Sequence, residues 1–114
     1  MEYMILIYAD EALYEAMAEG QMTSLMADFA SYTQALEAAG VLRGGAELAP
    51  VGSATSVRVQ NGKPVITDGP FAETKEQLGG YYLLDCAHLD EALAGAGRCP
   101  AASLGTMEVR PVTA

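Results

Sequence analysis

Among the side chains able to carry acid–base or anion chemistry, Asp68 stands out, because it follows the apolar residues Val65 and Ile66 and precedes Gly69-Pro70. A carboxylate at a strand end, beside a flexible glycine, can act as a general base or hold a ligand. The same Asp-Gly-Pro is also a turn, in which an aspartate bonds nearby backbone N–H groups; both readings stand on the sequence. Glu108 and Arg110 alternate with Met107 and Val109, so the charged pair points away from the core-facing side of its strand. There a guanidinium can clamp an anion or a carboxylic acid. Alternatively, the two are edge-strand charges, solvated or paired with each other. Phe71 completes the candidate ligand-binding set Asp68, Phe71, Glu108 and Arg110, although a core anchor beside the rigid Pro70 explains it more simply. Asp68 is the one catalytic candidate. Glu73, Lys75 and Glu76 read as a solvated charged turn.

Metal chemistry finds little to work with. His88 is the sole histidine and falls where a helix should start, so an N-cap accounts for it. Cys86 and Cys99 are too far apart for a Cys-x-x-Cys site, and two thiols with one imidazole make a poor zinc set. They read as separate buried thiols. Neither a phosphate-binding Walker loop nor a Gly-x-Gly-x-x-Gly is present, and no cofactor is expected. The pairs Gly44-Gly45 and Gly79-Gly80 read as turn and helix-end glycines.

These residues need a scaffold, and 114 residues make one domain. With 51% hydrophobic and 18% charged residues, the chain is folded rather than disordered. A net charge of −9, with six scattered basic residues, disfavours nucleic acid and anionic membranes. No stretch approaches the roughly 18 apolar residues of a membrane span, and no signal peptide is apparent. A cytoplasmic location with reduced thiols is the expectation.

Residues 3 to 8 form a continuous apolar run, as in a strand buried on both faces. Glu11, Glu15 and Glu19 suit a short exposed helix ended by Gly20. Leu25, Phe29, Tyr32, Leu36 and Ala39 recur with helical period, with Thr23 or Ser24 as cap and Gly40 as the stop. A short strand is expected over residues 47 to 49. Residues 55 to 60 alternate, Asn61-Gly62 signals a hairpin, and residues 64 to 67 return. Thr74 and Gln77 have capping-box spacing for one helical turn. Residues 81 to 84 are a second doubly apolar strand. Leu89, Ala92, Leu93 and Ala96 share a helix face, and residues 104 to 112 are a final strand.

That order predicts an α+β, ferredoxin-like split βαβ sandwich with an added β-hairpin. Two helices cover only one side of the sheet, yet both central strands offer apolar side chains to both sides. A second copy of the sheet is the simplest cover, so the expected partner is a homodimer.

The run Thr67-Asp68-Gly69-Pro70-Phe71-Ala72-Glu73-Thr74-Lys75-Glu76-Gln77-Leu78-Gly79-Gly80-Tyr81-Tyr82 resembles the signature of the DGPF group of the YciI-like (YCII-related) family. Residues 89 to 93 and the tail Met107-Glu108-Val109-Arg110-Pro111-Val112 are similar to that group as well. The resemblance implies a single YCII-related domain over residues 1–114, dimerising as an α/β barrel. In such proteins a His–Asp pair carries a suggested catalytic role. The aspartate is present as Asp68, whereas His88 does not match the pair's histidine. The group also occurs beside extracytoplasmic-function sigma factors, which implies a link to transcriptional regulation. Three functions therefore compete: a module binding a small ligand or partner, a small enzyme acting on a small organic acid with Asp68 as base, and a stress-related protein with only a structural role.

Overall fold

The computed structural model describes residues 1–114. Six strands and three helices follow in the order β1 (Glu2–Ala9), α1 (Glu11–Glu15), α2 (Glu19–Ala38), β2 (Leu42–Glu47), β3 (Thr55–Gln60), β4 (Lys63–Asp68), β5 (Gln77–Asp85), α3 (Leu89–Gly97) and β6 (Thr106–Pro111). Four of the strands form an antiparallel sheet in the order β2-β5-β1-β6, and β3 with β4 forms a separate two-stranded ribbon. This is the α+β, ferredoxin-like arrangement with an added hairpin. The two doubly apolar strands are the central ones, as their composition requires.

Along β1 the burial alternates: Tyr3, Ile5, Ile7 and Ala9 are buried, and the residues between them are half-buried. The buried set packs with Tyr32 and Leu36 of α2 and with Ala92 and Ala96 of α3, so both helices lie on one face. Met4, Leu6 and Tyr8 point to the other face, beside Arg110, Glu108 and Thr106 of β6 and Leu83, Tyr81 and Leu78 of β5. No helix covers that side.

Several local expectations need correction. Gly20 does not end α1; α1 stops at Glu15, and Gly20 lies in the first turn of α2. The start of α2 is at Ala18, whose N–H donates to Gln21 Oε1 (2.9 Å), while Thr23 sits inside the helix and donates to Glu19 O (3.0 Å). Its end is as expected: Val41 N–H reaches Leu36 O and Gly40 N–H reaches Glu37 O, the paired bonds of a glycine-terminated helix. The short strand lies over Leu42–Glu47, not residues 47 to 49, so Gly44-Gly45 is inside β2 and Gly79-Gly80 is inside β5. Residues 74 to 77 form no helical turn; Thr74 Oγ1 donates to Glu76 O and Gln77 opens β5.

His88 does cap α3, its Nδ1 accepting from Glu91 N–H (3.3 Å). That helix buries Ala92, Gly95 and Ala96, whereas Leu89 and Leu93 stay exposed. The small residues let α3 sit close to the sheet.

The hairpin turns through Asn61 and Gly62, both with positive φ, as the two-residue hairpin turn demands. Its side chains are unusual for an outlying ribbon: Val57 is 61%, Val59 70% and Ile66 67% exposed. The radius of gyration, 16.0 Å, exceeds the roughly 13 Å of a compact chain this long. No helix of the chain is long and apolar enough to cross a membrane.

Candidate functional site

A cavity of about 590 Å³ lies on the helix-covered side, between α1 and α2 and the β2–β5 edge of the sheet. Its floor exists because two strand positions carry no side chain. Gly80 pairs with Ile7 and Gly45 with Tyr82, so both glycines occupy the face on which Ile7 and Tyr82 point toward the helices. A larger residue at either would fill the space. It would also meet the neighbouring strand, since a Cβ on Gly45 falls 2.8 Å from Tyr81 O and one on Gly80 falls 2.8 Å from Ala46 O.

The roof comes from the apolar stripe of α2, where Met22, Leu25, Met26 and Phe29 recur at helical spacing. Leu48 and Pro50 close the β2 side. Methionines suit such a wall, because their flexible thioethers adapt to varied shapes.

Polar groups are few and distinct in role. Thr33 Oγ1 and the Tyr82 hydroxyl lie 2.8 Å apart, and the Tyr82 ring packs edge-on against Tyr32 with centroids 5.3 Å apart. Burial pushes the Tyr82 hydroxyl pKa above its ordinary value, with the Thr33 bond opposing, and burial does the same for Tyr14. Both hydroxyls therefore stay protonated at neutral pH and can donate or accept. Glu11 and Gln77 are committed to the frame. The Glu11 N–H donates to Gln77 Oε1 (2.9 Å), Glu11 Oε2 accepts from Val51 N–H (3.0 Å), and Gln77 Nε2 donates to Thr74 O (2.6 Å). Those bonds tie α1 to the segment after β2 and to the start of β5. Glu15 and Glu47 also line the cavity, and no lining residue is basic.

The residues nominated from sequence lie elsewhere. Asp68, Phe71, Glu108 and Arg110 do not line this cavity. Arg110 Nε donates to Glu108 Oε1 at 3.0 Å on the open face of edge strand β6, so those two are brought together. Asp68 ends β4 in the separate ribbon, where its register places it on the same face as Val57, Val59 and Ile66. Its carboxylate accepts no hydrogen bond; the turn is held instead by Gly69 N–H on Ala54 O (2.7 Å) and by Ser56 Oγ on Gly69 O (2.8 Å). Phe71 is not a core anchor, being 81% exposed. It follows Pro70 in a loop that runs on to Glu76, whose Oε1 accepts from Thr106 Oγ1 at 2.9 Å. Cys86 and Cys99 are buried and unpaired, and no group of three or more His, Cys, Asp or Glu side chains is assembled in a way that could hold a metal.

Sequence reasoning missed the cavity because glycine pairs are read first as turns. The signal that could have found it is their position: Gly44-Gly45 and Gly79-Gly80 flank apolar strand residues, opposite a helix whose exposed-looking positions are Met22 and Met26.

Comparison with known proteins agrees with this architecture. The YCII-related domain family matches residues 1–114. The chain belongs to that family. A relative from Rhizobium meliloti (strain 1021), described as an uncharacterized protein, is 42% identical over 114 residues, covering 98% of this chain and 92% of the relative. Among solved structures, 5-chloro-2-hydroxyhydroquinone dehydrochlorinase (TftG) from Burkholderia phenoliruptrix, in complex with 2,5-dihydroxybenzoquinone, is similar with a TM-score of 0.52. The match covers 99% of this chain and 94% of that one at 14% identity. At that identity the likeness shows a shared fold between this YCII-related chain and the dehydrochlorinase.

Proposed function

We propose that this YCII-related protein is a cytoplasmic homodimer that binds a small molecule between α2 and the β2–β5 edge of its sheet. The observation that carries the reading is the cavity itself, about 590 Å³ with a mostly apolar wall and a hydroxyl pair, Thr33 and Tyr82, set into it. Small-ligand sites have this size and this mixture.

The dimer follows from two uncovered apolar surfaces. One is the open face bearing Met4, Leu6, Tyr81 and Leu83; the other is the hairpin face bearing Val57, Val59 and Ile66. An isolated two-stranded ribbon is at best marginally stable, so this one needs something to pack on. A second copy supplies it, closing the two sheets into an α/β barrel. Free buried thiols fit the reducing cytosol. A ligand-binding dimer is also the form in which a role in transcriptional regulation would operate.

A thermal-shift screen with a fragment library tests the reading. A ligand at one hundred times its Kd stabilises the folded state by about 2.7 kcal/mol, about 10 °C at this chain length. Met26→Trp, which fills the cavity from α2, should abolish every such shift. Hits that survive in Met26→Trp would place binding elsewhere.

A second reading, a small enzyme acting on an organic acid, draws on Asp68. Its carboxylate is free of bonds, as a general base needs, and it shares the hairpin face that the dimer would cover. That face would meet a second copy's open sheet, which carries Glu108 and Arg110 as an anion clamp, with Phe71 beside it. Asp68→Asn should then abolish turnover of an acid substrate without changing the melting temperature.

A further inference from the structure

We propose that the cavity selects hydrophobic ammonium compounds and rejects carboxylic acids; this rests on the small-molecule reading above and names its ligand class. Three of the residues lining the space are glutamates, Glu11, Glu15 and Glu47, and none is lysine, arginine or histidine. An anion entering would lose hydration and meet three carboxylates and no cationic side chain, a cost that the neutral hydroxyls of Thr33 and Tyr82 do not offset.

The three glutamates are not equivalent. One oxygen of Glu11 is spent on the Val51 N–H, which fixes that side chain as part of the rim. The carboxylates of Glu15, at the end of α1, and Glu47, at the end of β2, take part in no hydrogen bond or ion pair of the chain. Both line the cavity, one from the helix side and one from the sheet side. A ligand whose apolar body lies against Met22, Met26 and Phe29 can therefore present a charged head to both.

The deeper polar pair, Thr33 and Tyr82, already satisfies itself at 2.8 Å and accommodates either a donor or an acceptor. It fixes orientation without choosing a charge. The choice of charge lies with Glu15 and Glu47. The chain's net charge of −9 extends the same preference outward, favouring approach of cations. Glu15 and Glu47 are solvent-exposed, so each contact with an ammonium is modest and weakens with salt.

The test is titration calorimetry at pH 7 and low salt with three molecules of one shape: phenylbutylamine, phenylbutanol and phenylbutanoate. The amine should bind about tenfold more tightly than the alcohol, and the acid should give no binding heat. In the double variant Glu15→Gln with Glu47→Gln, the amine should fall to the alcohol's affinity and the alcohol should be unchanged. Neither carboxylate makes an internal bond, so the double variant should keep the parent melting temperature, which is measured alongside. Equal binding of amine and alcohol, with both lost in Met26→Trp, overturns the charge selection and leaves the cavity reading standing. Acid binding as tight as that of the amine overturns it too. Failure of all three to bind, or binding untouched by Met26→Trp, overturns the cavity reading and the selection together.

Discussion

Replacing Gly80 by alanine should damage the protein although it adds only one methyl group. Gly80 is buried in central strand β5, opposite Ile7 on one side and Glu47 on the other. A Cβ built there falls 2.8 Å from Ala46 O and 3.6 Å from Glu47 Cα, both backbone atoms of the paired strand. Backbone cannot swing aside as a side-chain tip can, so β2 and β5 must separate locally. Overpacking of this kind costs about 1–3 kcal/mol, while the lost flexibility of the unfolded chain returns about 0.4–1 kcal/mol. The net is a destabilisation of about 1–2 kcal/mol, or a fall of about 4–8 °C in melting temperature for a domain of this size. Gly20→Ala is the control, because nothing lies within 4 Å of a Cβ there and the residue is helical. It should be neutral or stabilising by up to about 1 kcal/mol. Urea melts of the two variants read the difference. Equal stability of Gly80→Ala and the parent would refute the argument that glycine at this position permits the strand spacing that floors the cavity.

Other outcomes follow from the same geometry. Tyr32→Phe removes a buried bond from the Tyr32 hydroxyl to Gly95 O (2.7 Å), a carbonyl that keeps the Arg98 N–H (3.2 Å) as its other donor, so chemical denaturation should show a loss of about 0.5–1.5 kcal/mol. Burial raises the pKa of Tyr32, Tyr82 and Tyr14, so their stabilising contribution is complete below the unfolded tyrosine value of about 10. It is lost as pH climbs through the raised folded values. The melting temperature should hold to about pH 10 and then fall steeply; a flat profile to stronger alkali would contradict it. Light scattering after gel filtration should give twice the 11.9 kDa chain mass, and Val59→Lys with Ile66→Lys should shift the protein toward monomer. A parent monomer at micromolar concentration would end the dimer proposal.

The chain's architecture was legible where pattern and burial coincide. The doubly apolar runs became central strands β1 and β5, the Asn61-Gly62 turn became a hairpin, and the alternation at 107–110 set Met107 and Val109 inward and Glu108 and Arg110 outward. Glycine misled twice, for one reason. At Gly20 a helix former was unnecessary because the first turn of α2 is held by Gln21 and by its own bonds, and at Gly45 and Gly80 the missing side chain serves strand spacing rather than a turn. Phe71 was readable as hydrophobic but not as exposed, since exposure in one chain says nothing about which surfaces an assembly covers. The cavity was the least legible feature. It arises from what four separated segments, 7–15, 22–33, 42–50 and 77–82, leave empty, and local sequence carries no record of empty space.

The most direct measurement of the central claim uses the methionine methyl groups as reporters. Met22 and Met26 line the cavity, whereas Met4 lies on the open face and Met107 on β6. Carbon-labelled methionine methyl spectra recorded against hits from the fragment screen should show the Met22 and Met26 signals moving together, saturably, with Met4 and Met107 unchanged. Ligand shifts confined to Met4, with Met22 and Met26 silent, would contradict the account and move the site to the open face of the sheet.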